Sequence, residues 1–115
     1  MNQDEIKRAA NSLWPELAAE AKVYFLSLLS HNLTVSIRLI HSEQMSADET
    51  VKKMYGLNEV QHRVSSALMN LTQKSGVVHP NERLINLLYS FAQEYNCEWE
   101  LTLALSYTLN ALPQQ

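Results

Sequence analysis

Residues that reverse the backbone are scarce in this chain, and that scarcity limits the fold more than any motif does. Two glycines and three prolines are spread over 115 residues. A β-sandwich or barrel needs turn residues at intervals of about 8–12 positions, and this sequence cannot supply them. No stretch alternates apolar and polar side chains for long. Apolar residues recur instead at spacings of three and four, the period of an amphipathic helix. The expectation is an all-α, single-domain bundle of five or six helices over residues 1–115. A chain of this length buries roughly two-thirds of its unfolded surface on folding. The 46% hydrophobic content supplies a core for it.

The first helix is expected over Asp4–Leu13, with acids at its start, stopping before Trp14-Pro15 because a residue preceding proline is pushed out of the helical region. Pro15 then suits the first turn of a helix reaching to about His41, some 40 Å long, with a bend expected near Ser30–Thr34. Leu17, Ala21, Tyr24, Leu28, Val35 and Leu39 give it one apolar face, with Phe25, Leu29, Asn32 and Ser36 beside it. Ser46-Ala47-Asp48-Glu49 reads as a capping box launching a helix to Met54 or Tyr55. Gly56 either ends that helix or lies inside it, which is why the count is five or six. Leu57, Val60, Val64, Leu68 and Leu71 form the next stripe, closed by Ser75-Gly76. His79-Pro80-Asn81-Glu82 opens a helix with Leu84, Leu88, Phe91 and Tyr95 on one face. Tyr95-Asn96-Cys97 breaks it. The last helix, Glu98 to about Leu112, is apolar over much of its circumference and is expected at the centre of the bundle or under a partner, which leaves a homodimer open.

Net charge is −3, and Glu94, Glu98 and Glu100 fall in a stretch with no basic residue after Arg83. An acidic end repels phosphate backbones and attracts a basic protein surface. The single cysteine, Cys97, excludes an intrachain disulfide, in keeping with a reducing compartment. The charged N-terminus lacks the apolar core of a signal peptide, and the apolar runs are interrupted well short of the roughly 20 residues that span a bilayer. A cytoplasmic protein without membrane contact is the expectation.

Chemistry finds little support. The four histidines and Cys97 show none of the short paired spacings of zinc sites. Glu59-Val60-Gln61-His62 is one Glu-x-x-His, but a di-iron bundle needs a second such pair and two further glutamates. The stripe through Leu57, Val60 and Val64 also turns Glu59 and His62 away from the core. Cys97 lies beside Glu98, whose charge raises a thiol pKa. There is no nucleophile elbow and no phosphate-cradling glycine loop. No catalytic residue, metal or cofactor is expected.

The polar block after Gly56 is then a brace or a recognition surface. A Glu59–Arg63 ion pair one turn apart is the bland reading. Asn58, Gln61, His62, Arg63 and Asn70 could instead read a DNA groove, so a small helical DNA-binding regulator is the alternative function, although one certain positive charge is little for that task. As an interface, Glu59, His62 and Arg63 form one candidate partner-binding patch, and Glu94, Glu98 and Glu100 a second.

Asn58-Glu59-Val60-Gln61-His62-Arg63-Val64, with His31-Asn32-Leu33-Thr34-Val35 and Ile37-Arg38, resembles a pattern of small uncharacterised bacterial helical proteins. In overall type the chain is similar to bacterial toxin-immunity proteins, such as those of contact-dependent growth inhibition. That resemblance implies a non-enzymatic protein that captures a basic toxin domain, often a nuclease, by steric and electrostatic fit.

Overall fold

The computed structural model describes residues 2–40, 45–72 and 83–112. Over those residues it is all-α, with five α-helices and one 3-10 turn: α1 (Gln3–Leu13), the turn Trp14–Glu16, α2 (Ala19–Ile40), α3 (Ala47–Thr72), α4 (Leu84–Glu94) and α5 (Glu98–Ala111). The expected boundaries at Ser75-Gly76, at His79 to Glu82 and at Pro113 lie outside the described residues. The body measures 44 × 31 × 20 Å, and its shortest dimension matches two helix layers at the usual 8–10 Å spacing. α2 and α3 form a long hairpin. α5 packs along α2 and also against α1 and α4, while α4 leans on α3.

Each helix start has a local cause. Asn2 caps α1 by accepting a hydrogen bond from the Glu5 amide at 2.9 Å, with Asp4 and Glu5 in the favourable first turn. Ser46 caps α3 by accepting from the Glu49 amide at 3.2 Å. α4 ends where its sequence predicts, in a Schellman motif: Asn96 adopts φ 56°, the Cys97 amide donates to Ala92 at 2.8 Å and the Asn96 amide to Gln93 at 3.3 Å. Asparagine tolerates that left-handed conformation better than most side chains.

Two expectations change, and one left open is settled. Pro15 does not open α2. Trp14–Glu16 forms its own 3-10 turn, Leu17 is extended, and α2 begins at Ala19. The cause is Trp14, which is fully buried with its ring centroid 5.7 Å from that of Phe25. Lys22 covers the same indole at 5.4 Å and donates to the Leu17 carbonyl at 2.6 Å, closing the corner.

The face of α2 also differs. Phe25, Leu26, Leu29, Leu33, Ser36 and Ile40 are buried, whereas Tyr24, Val35 and Leu39 are exposed. α2 is apolar on most sides, so its period does not select a face, and packing against α3 and α5 does. By length and composition α2 could cross a membrane, because the interrupted apolar runs join into one helix. Polar groups on two sides of it are nevertheless engaged by neighbouring helices: Asn32 donates to the Thr108 hydroxyl at 3.0 Å, and Gln61 donates to the Ser30 carbonyl at 3.0 Å and the Thr34 hydroxyl at 2.6 Å.

Finally, Gly56 does not divide α3, which fixes the number of described helices at five. A Cβ at this position would lie 2.5 Å from Tyr95 Cβ and 2.8 Å from Cys97 Sγ. The glycine admits the α4–α5 corner against the α3 backbone. Its conformational freedom is not what the fold uses.

Candidate recognition surface

The corner at Gly56 brings the two sequence-predicted patches together in part. Tyr55, Glu59 and Arg63 follow one another at intervals of four on α3 and share a flank, which the contacts of Tyr55 and Arg63 turn toward the C-terminal half of α4. Tyr55 packs against Tyr95 with ring centroids 5.0 Å apart and the rings tilted by 54°. Arg63 lies over the Phe91 ring at 4.8 Å. Glu59 and Glu94 both act on Tyr95: burial, then the Glu94 charge, the Tyr55 ring and the Glu59 charge hold its phenol above the ordinary range. The result is one continuous surface of Tyr55, Glu59 and Arg63 with Phe91, Glu94 and Tyr95.

Its side chains are accessible to a partner. Tyr55 is 58% exposed, Arg63 and Glu94 are exposed, and Glu59, Phe91 and Tyr95 are half-buried. The expected Glu59–Arg63 ion pair is not formed. Arg63 spends its charge on the face of Phe91 instead, a contact worth about 0.5–1 kcal/mol at an exposed site. His62 is exposed but points about 100° around the helix from Arg63, at the margin of this surface.

The other two glutamates go elsewhere. Glu100 is buried and takes both of its hydrogen bonds from Lys53, at 2.8 and 3.0 Å. It ties the start of α5 to α3 and is withdrawn from any exposed acidic surface, contrary to its expected place among the charges that attract a partner. The signal was Lys53, a base on a neighbouring helix that period alone does not reveal. Glu98 turns toward α1, where it lines a cavity of about 140 Å³ with Gln3, Asp4, Lys7, Tyr89 and Gln93. Its Oε1 is buried there without a hydrogen-bond partner. The acidic stretch from Glu94 therefore fans out to three sides of the bundle.

Gln61 is likewise unavailable for reading a DNA groove, since both of its bonds go to α2. Among the described residues no three of the His, Cys, Asp and Glu side chains gather as a metal would require. Cys97 is fully buried, and burial first, then the charges of Glu100 and Glu98, push its thiol up to about 12. Such a thiol is a packing group at neutral pH.

Aromatic rings and an arginine on one surface are residue types also enriched in protein interfaces. No protein family, curated protein or solved structure matches the chain.

Proposed function

We propose that the protein is a non-enzymatic binding module and, in its most concrete form, a cytoplasmic immunity protein that neutralises a basic toxin domain. The observation that supports this reading best is the α3–α4 surface, where Tyr55 and Tyr95 pack together and the carboxylates of Glu94 and Glu59 both act on Tyr95. Tyrosine and arginine are the residue types that dominate binding energy in protein interfaces. The two carboxylates would steer a basic partner into place. Glu100 leaves the contact set, Glu98 and His62 become marginal, and Tyr55, Phe91 and Tyr95 join it.

The test is capture of the partner from the native cell with the intact chain and with a Glu59→Lys/Glu94→Lys variant, followed by association rates at increasing salt. The expected result is a basic protein retained by the natural chain, lost by the variant, and bound more slowly as salt rises. For a toxin domain, co-expression of the natural chain alone should also relieve its toxicity. A neutral or acidic partner, or retention indifferent to both charge reversals, would remove this surface from the proposal.

A further inference from the structure

Three helices leave a cavity of about 140 Å³ between them, lined by Gln3, Asp4 and Lys7 of α1, Tyr89 and Gln93 of α4 and Glu98 of α5. Every one of these side chains carries a polar group. A packing defect between helices is apolar and dry, whereas a polar cavity of this size has room for about four or five waters. Three of the side chains are charged, and among the described residues no ion pair joins Asp4, Lys7 and Glu98. Lys7 instead sets its ammonium 5.1 Å from the centre of the Tyr89 ring. Tyr89 in turn shares a hydrogen bond of 2.7 Å with the Thr102 hydroxyl. The acids outnumber the base, and their field reaches the aromatic wall: burial first, with the Asp4 charge adding to it, holds the Tyr89 phenol above its ordinary range.

Glu98 holds the decisive atom. Its Oε1 is closed off from solvent and has no hydrogen-bond partner. A buried carboxylate oxygen without a donor opposes folding. The last torsion of a glutamate is soft, so the carboxylate can turn this oxygen onto a donor that enters the cavity.

We propose that this cavity binds a primary ammonium group on a short alkyl chain, held between the carboxylates of Glu98 and Asp4. A free diamine and the lysine side chain of another protein both present that group. Charge selects a cation, because the lining carries two acids and one base. Donor count selects nitrogen: an ammonium has three N–H donors, which the two carboxylates and an amide oxygen of Gln3 or Gln93 can accept. A calcium ion would need about six to eight oxygens, and among the described residues no three acidic, histidine or cysteine side chains gather. Size selects a chain of a few heavy atoms. No residue of α3 lines the cavity, so this inference stands apart from Tyr55, Glu59 and Arg63, and either can fail alone.

Titration of the intact, isotope-labelled chain with n-butylammonium chloride at low salt, followed by NMR, tests it. The expected result is saturable shifts of the Gln3, Lys7, Gln93 and Glu98 amides with a millimolar Kd. Glu98→Gln keeps the shape of the side chain without its charge. It should weaken binding roughly tenfold with unchanged circular dichroism. Lys7→Ala removes a like charge from the lining and should tighten binding. Putrescine and Nα-acetyl-lysine amide separate the two sources: tighter binding of the diamine identifies a free ligand, and tighter binding of the blocked lysine identifies a protein side chain. Shifts that do not saturate would leave water as the occupant and overturn the proposal. So would an equal response to tetramethylammonium, which has no N–H to donate, or a Glu98→Gln chain that binds as the natural one does. Tighter binding of calcium by the same residues would overturn it as well, because a metal would then be the occupant.

Discussion

Two faces of this bundle expose aromatic and aliphatic side chains, and they differ in how charge is arranged around them. On the α3–α4 face the carboxylates of Glu59 and Glu94 crowd Tyr95, while the one guanidinium, Arg63, is drawn onto Phe91. On the outer face of α2 the acid Glu20 and the base Arg38 are both exposed and stand about five turns apart, with Tyr24 and Val35 between them. Exposure is similar in the two places, Tyr55 at 58% and Tyr24 at 47%. Exposure alone therefore does not distinguish the two faces; the arrangement of charge around the apolar groups does.

The largest expected effect strikes the scaffold that both faces share. Lys53→Ala would leave Glu100 as an unpaired carboxylate that is 6% exposed. Removing one partner of a buried pair costs about 3–5 kcal/mol; Lys53 is partly exposed, so about 2–3 kcal/mol in urea denaturation is expected. A loss below about 1 kcal/mol would mean that the pair does not anchor α5 to α3.

Gly56→Ala separates the faces more selectively. Helix propensity alone would favour alanine by about 1 kcal/mol. The approach of Tyr95 Cβ and Cys97 Sγ to within 2.5 and 2.8 Å of the new carbon opposes it, and overpacking of this kind costs about 1–3 kcal/mol. The expected outcome is net destabilisation with loss of partner capture at α3–α4. A stabilised variant would show that the corner yields.

Alkaline pH acts on the same corner. Cys97 titrates near 12 in the folded chain against an ordinary 9.0, and the phenols of Tyr89 and Tyr95 are also raised. Raised groups keep their protons in the folded state after the unfolded chain has lost them, so the unfolded chain binds fewer protons and stability falls as pH rises. For Cys97 the contribution is intact below about pH 9 and declines toward pH 12, by up to about 1.4 kcal/mol per pH unit. Thermal denaturation at stepped pH measures it. In the same window a small thiol reagent should label the folded chain far more slowly than the denatured one.

The smallest stability effect has the largest consequence for the comparison. Arg63→Ala removes an exposed ring contact worth under about 1 kcal/mol and should leave the melting temperature almost unchanged. It should weaken capture of a partner at α3–α4 and leave the oligomeric state alone. An Arg63→Ala chain with unchanged capture would remove Arg63 from that surface.

Much of the helical order was legible in the residues. Asn2 and Ser46 cap where cap residues should, and Asn96 ends α4 where an asparagine can take a positive φ. The stripe Leu57, Val60 and Val64 faces the core as its spacing requires. Of the recognition residues, Glu59, Arg63 and Glu94 lie on one surface, but the rings that join them came from a contact between helices some forty positions apart in the chain. Local sequence by itself determined which segments coil and where they stop, because caps, proline and apolar period act within a few residues. Which side of α2 is buried, why Gly56 is glycine and which glutamates face solvent were decided only by the tertiary structure. α2 is apolar on too many sides to choose, a glycine beside a distant corner looks like a helix break, and a carboxylate becomes internal only when a lysine such as Lys53 arrives from another helix.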